Sequence, residues 1–109
     1  MSTSKSSPAR EASHSGSWYS SSPSTLSTQL QSWLDEAKNK NKDDTKFTDQ
    51  IRGIICPHAG YSYSGPTAAY SFHALPPHIR RVFILGPSHH HYTKGCELTS
   101  MDSYMTPLG

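Results

Sequence analysis

Val82-Phe83-Ile84-Leu85-Gly86-Pro87-Ser88-His89-His90 is the stretch on which the fold turns: an apolar run stops at a Gly-Pro break and is followed at once by histidines. β-Branched and aromatic residues suit a pleated strand, and a proline cannot continue its ladder. Ile54-Ile55-Cys56-Pro57-His58-Ala59-Gly60-Tyr61 repeats the plan upstream. If residues 51–56 and 80–85 are parallel strands of one sheet, their carboxyl ends share an edge, where ligand sites of open α/β sheets form. The expectation is an α/β chain in which His58 and His89 converge.

The connection between the two runs fits that reading. Pro66 suits the first turn of a helix over residues 65–75, with Ala68, Phe72 and Leu75 on its buried side. Strand, helix and strand make a βαβ unit with parallel strands and a right-handed crossover. Upstream, Ser24 or Thr25 can cap a helix reaching about residue 38, because Leu26, Leu30, Trp33, Leu34 and Ala37 share one face. Residues 39–49 read as a polar, charge-mixed linker, and residues 96–107 as one or two short strands. Residues 1–9 form a Ser-rich tail expected to be disordered, since its composition cannot offset the entropy of ordering.

Composition narrows the function. The chain has 109 residues, of which 33% are apolar, a low share for a self-sufficient core. Ten basic and eight acidic residues give a net charge of +2 with no basic cluster, so neither nucleic acid nor an anionic membrane is an expected partner. No apolar run has the length of a membrane span and no signal-peptide stretch opens the chain, so a cytoplasmic location is expected. Two cysteines, Cys56 and Cys96, lack disulfide-scaffold or C-x-x-C spacing and read as reduced thiols. Strand alternation would turn Cys56 to the same side as His58.

The remaining histidines divide by context. His73 on the crossover helix and His78 beside prolines and a basic pair read as structural or surface residues. His90 and His91 are adjacent on an extended segment and point oppositely, so at most one of them shares a pocket with His89. Gly60, Gly65 and Gly86 are expected to allow positive φ or close approach. Trp18, Tyr19, Tyr61 and Tyr63 can line an aromatic pocket or anchor a core. Ser88 has neither a G-x-S-x-G elbow nor an Asp/His arrangement around it, which argues against a hydrolase.

Four ordered blocks point further: Arg10-Glu11-Ala12-Ser13-His14-Ser15-Gly16-Ser17-Trp18-Tyr19, Pro57-His58-Ala59-Gly60-Tyr61-Ser62-Tyr63-Ser64-Gly65, Ile84-Leu85-Gly86-Pro87-Ser88-His89-His90, and Tyr104-Met105-Thr106-Pro107-Leu108-Gly109. Together they resemble the consecutive signature blocks of the Memo family, named for a mediator of receptor-driven cell motility. The resemblance implies a Memo-like fold similar to that of the extradiol, class III non-haem iron dioxygenases. It implies metal binding by His58 and His89, completed by a cysteine far downstream, with His14 as a further pocket residue; His90 and Tyr61 are candidate pocket residues on their own residue types and positions.

Family members are about twice this length or more, so residues 10–109 are expected to be the amino-terminal portion of a Memo-like domain, without the third ligand. Neutral imidazole suits copper, zinc and iron; a thiolate third ligand shifts the preference toward copper or zinc and a carboxylate toward Fe(II). Copper or iron is the expected metal. Three functions follow: a metal-binding redox or signalling adaptor that recognises a phosphotyrosine-containing protein segment, an extradiol-type dioxygenase, or a non-functional truncated product. The adaptor without classical catalysis is the preferred reading.

Overall fold

The computed structural model describes residues 7–41 and 50–109. Two short parallel strands and two helices follow one another as β1 (Ala9–Arg10), α1 (Pro23–Lys40), α2 (Tyr61–His73) and β2 (Ser103–Tyr104). The strands pair in parallel, Ala9 opposite Ser103 and Arg10 opposite Tyr104. Asp102 N–H donates to the Pro8 carbonyl at 2.8 Å and Met105 N–H to the Arg10 carbonyl at 2.8 Å. Order therefore begins before residue 10: of the tail expected over residues 1–9, Pro8 and Ala9 take part in this ladder, and residues 1–6 lie outside the described residues.

α1 starts slightly earlier than the sequence pattern indicates. Ser22 is the N-cap, its hydroxyl accepting from Thr25 N–H at 3.4 Å, and Pro23 occupies the first turn, where its missing N–H costs nothing. Lys38 and Lys40 lie in the last turn, where positive charge complements the helix dipole. Lys40 Nζ donates to Glu36 at 2.6 Å across one turn. Asn39 and Lys40, expected in the linker, thus extend α1, and residues 42–49 of that linker lie outside the described residues.

The two helices pack together, and their contact is the core. Leu26 and Ala37 of α1 and Ala69 of α2 are buried, while Leu30, Trp33 and Leu34 are half-buried on the expected face. Gly65 makes the approach possible: a Cβ there would fall 2.2 Å from the Trp33 ring. Close approach is what that glycine supplies. Gly60 and Gly86 have ordinary φ, and positive φ occurs instead at Gly16 (83°) and Gly109 (120°).

α2 also begins ahead of the expected residue 65. Gly60 is its N-cap with extended backbone (φ −52°, ψ 145°), and the Ser64 hydroxyl donates to the Ala59 carbonyl at 2.8 Å. Pro66 sits inside the helix rather than in its first turn, removing one intrahelical N–H. Ala69 and Ser64 are the buried positions of α2; Phe72, expected inside, is 54% exposed.

The βαβ unit expected over residues 51–85 is the main correction. Among the described residues neither 51–56 nor 80–85 forms a ladder, and parallel pairing occurs between β1 and β2 and at an isolated Ser15–Tyr19 bridge. Parallel strands gain stability when both faces are covered, whereas Ile55 is 95% exposed and Phe83 89%. The short strands expected over residues 96–107 reduce to β2. The Cα radius of gyration, 16.7 Å, accordingly exceeds the roughly 13 Å of a compact domain this long. No helix among the described residues is long and apolar enough to cross a membrane.

Candidate functional site

Although the connecting ladder is missing, the two proline-histidine junctions meet. The His58 and His89 rings stack with centroids 5.5 Å apart and planes 24° from parallel. His58 lies just ahead of α2, whose start is fixed from the amino-terminal segment: Tyr61 N–H donates to the Trp18 carbonyl at 2.8 Å. The Tyr19 and Tyr61 rings reinforce this contact at 5.1 Å. His89 follows Pro87, and the intervening Ser88 closes a tight turn by accepting from His91 N–H at 3.2 Å while its hydroxyl donates to the His91 carbonyl. That local role accounts for Ser88 without nucleophilic chemistry.

His14 reaches the same place from a third segment. The loop ahead of α1 turns back at Gly16, whose N–H donates to the Tyr19 carbonyl at 2.8 Å. Trp18 N–H donates to the His14 carbonyl at 2.9 Å, and the two rings meet edge to face with centroids 4.9 Å apart. Ser13 Oγ lies 3.2 Å from His14 Nδ1. A cavity of about 420 Å³ is lined by His14, Trp18, His58, Tyr61 and His89, with Arg10 and Tyr104 at the β1–β2 end. There the Arg10 guanidinium lies 5.5 Å over the Tyr104 ring, a cation–π contact.

Of the expected pocket residues, His14 and Tyr61 line this cavity together with the His58–His89 pair. His90 does not. His91, its neighbour, faces Glu97 instead, Nε2 to Oε1 3.7 Å. Residues 89–91 bend in the Ser88 turn instead of running extended, and of the three histidines His89 lines the cavity. Cys56 is half-buried, Cys96 is exposed, both are free, and neither lines the cavity. Arg10 and Tyr104 were not singled out as site residues by the sequence; the signal available was their membership of the first and last of the four blocks.

The stacked rings present their faces to one another, and because imidazole lone pairs lie in the ring planes, the rings have to turn from this arrangement before both donate to one ion. With metal–nitrogen distances of about 2.0–2.1 Å, an ion lies roughly 3 Å from each ring centroid, so centroids up to roughly 6 Å apart are compatible with one ion. Among the described residues, no group of three or more His, Cys, Asp or Glu side chains is placed to hold a metal. Both rings are exposed to solvent beside the cavity.

Paired imidazoles thus stand beside an aromatic-lined cavity in a small α/β chain. The family described as Memo-like protein matches residues 10–109. Protein MEMO1 of Xenopus laevis is 50% identical over 100 residues, which cover 91% of this chain and 31% of that protein. Protein MEMO1 of Homo sapiens is 47% identical over the same shares, and the Protein memo-1 homolog of Caenorhabditis elegans is 46% identical over 101 residues, 92% of this chain and 27% of the homolog. The chain belongs to the Memo family. It spans about a third of the length of the curated relatives it matches.

Proposed function

We propose that the chain supplies the bis-imidazole part of a Memo-like copper- or iron-binding site, with His58 and His89 as ligands, in a cytoplasmic redox or signalling adaptor. The observation that carries this reading is the 5.5 Å stacking of two histidines from separate segments at the rim of one cavity. A bound copper or iron ion would supply Lewis acidity and one-electron chemistry. The chain's own residues orient the rings: Trp18 fixes the start of α2 beside His58, and the Ser88 turn aims His89. His14 and Tyr61, on the cavity wall, meet whatever ligand approaches the pair.

Two imidazoles alone hold a metal weakly, since a third ligand and the partners that fix ring tautomers are needed for tight binding. In this reading the third ligand, a cysteine by family resemblance, comes from polypeptide beyond the matched third of a Memo-like domain, and a phosphotyrosine-containing segment is the adaptor's partner. Calorimetric titration with copper and with ferrous iron tests it. Weak uptake lost on His58→Ala or His89→Ala and kept on His73→Ala or His78→Ala is expected; equal losses from all four overturn the reading.

A second reading is an extradiol-type dioxygenase with two histidines and one carboxylate, whose carboxylate would come from outside the described residues, among which no group of three metal-ligating side chains is placed to hold a metal. Oxygen consumption with catechols distinguishes it from the adaptor: turnover that depends on iron and on His58 and His89 supports the dioxygenase, and metal uptake without turnover supports the adaptor.

A further inference from the structure

Proline follows a hydroxyl-bearing residue at three places in the chain, Ser7-Pro8, Ser22-Pro23 and Thr106-Pro107. Their surroundings differ. Ser22 is the half-buried N-cap of α1, its hydroxyl accepting from Thr25 N–H at 3.4 Å and from Thr25 Oγ1 at 3.1 Å, and the chain beyond it is helical. Thr106 Oγ1 donates to the Gly109 carbonyl at 3.1 Å, accepts from Leu108 N–H at 3.1 Å, and belongs to a residue lining the cavity beside His58 and His89. Ser7 is exposed, lies outside every helix and strand, and has no hydrogen-bond partner for its hydroxyl among the described residues. Pro8 biases it away from helical backbone toward the extended form. Three residues after Ser7 stands Arg10, also exposed, whereas Thr25 and Gly109 hold that place after Ser22 and Thr106.

We propose that Ser7 is a phosphorylation site for a proline-directed protein kinase that also reads a basic residue three positions after the acceptor. Ser7 Oγ attacks the γ-phosphorus of magnesium-bound ATP, so that a new P–O bond forms as the bond from that phosphorus to the β–γ bridging oxygen breaks; ADP leaves, and the hydroxyl proton passes to the kinase's carboxylate base. Proline suits the position after the acceptor because it has no N–H for the kinase to satisfy. The Arg10 guanidinium supplies a planar fork for a carboxylate or phosphate on the kinase. To reach it, Arg10 turns away from the Tyr104 ring and β1 parts from β2; a ladder of two residue pairs at the rim of the fold is where local opening costs least. The transferred group brings a charge of about −1.5 to −2 to the residue that leads into β1. Ser7 does not line the cavity, so the proposal stands apart from the metal reading.

The test incubates the 109-residue chain with magnesium-bound ATP and a cyclin-dependent protein kinase, and locates the phosphate by fragmentation mass spectrometry. One phosphate on Ser7 is expected. Ser7→Ala and Pro8→Ala should each remove it. Arg10→Ala should slow incorporation on the order of tenfold, and Arg10→Lys, which keeps the charge, should restore much of the rate. A purely structural role for Arg10 in the β1–β2 ladder predicts the reverse, faster incorporation once the ladder loosens. Helical circular dichroism verifies that α1 and α2 persist in each variant. No incorporation, phosphate placed mainly on Ser22, Thr106 or any other residue, or an unchanged or faster rate in Arg10→Ala would overturn the proposal.

Discussion

His58 and His89 stack at 5.5 Å although the segments that carry them share no ladder. Their proximity rests instead on the turns that follow Pro57 and Pro87 and on the Trp18 carbonyl at the start of α2. Dilute copper should therefore broaden the ring resonances of His58 and His89 first in an NMR titration. His14, on the same cavity wall, should follow, and His73 and His78 should respond last. Simultaneous broadening of all histidines would mean that copper samples the surface without preference.

Trp33 covers Gly65 so tightly that any Cβ at residue 65 forces the ring aside, the closest ring atom lying 2.2 Å from where it would stand. Overpacking of this kind costs about 1–3 kcal/mol, and the α1–α2 contact offers few other buried residues to absorb it. Gly65→Ala should lower the thermal midpoint measured by helical circular dichroism. Trp33→Leu in the same chain should restore part of the loss by opening the space. An additive effect of the two substitutions would show that the ring and the glycine do not constrain each other.

The meeting of His58 and His89 was more legible in the sequence than the sheet. Convergence of His58 and His89 was inferred through parallel strands, yet the rings meet with those strands unformed, because local turn chemistry at each Pro-His junction operates over a few residues. Strand formation at residues 51–56 and 80–85 depends on neighbours that cover both faces, and periodicity within one chain carries no record of who those neighbours are. Pro66 suits a helix's first turn, yet it stands inside α2, which begins at Tyr61. That start is set by Gly60 and by a hydrogen bond from Tyr61 to Trp18, distant in sequence. α1 was legible because its cap, its apolar face and its basic last turn all lie within the helix or beside it.

Lys40 is held above the ordinary lysine range, first by its hydrogen bond to Glu36 and then by that carboxylate's charge, with a smaller contribution from Tyr70. A raised value in the folded chain means that any stabilisation is present at neutral pH and fades as pH climbs through the lysine range. The pair is exposed, so the effect on global stability should be small. Glu36→Gln should bring the Lys40 titration, followed by side-chain NMR, down toward its ordinary value. An unmoved titration would show that the carboxylate is not its cause.

Trp18 and Trp33 give the chain two indoles with different surroundings. Trp18 lines the cavity beside His58 and His89, whereas Trp33 lies in the α1–α2 contact against Gly65. Copper held by the imidazole pair would be a paramagnetic quencher next to Trp18, whereas Trp33 does not line that cavity. Tryptophan emission should fall on copper addition in the unaltered chain. In Trp18→Phe, which keeps an aromatic ring at that position and leaves Trp33 as the emitter, the fall should shrink to a small fraction; in Trp33→Phe it should grow as a share of the remaining signal. His89→Ala in the Trp33→Phe background should abolish it. Quenching of equal depth in both tryptophan variants would place the copper away from the His58–His89 cavity.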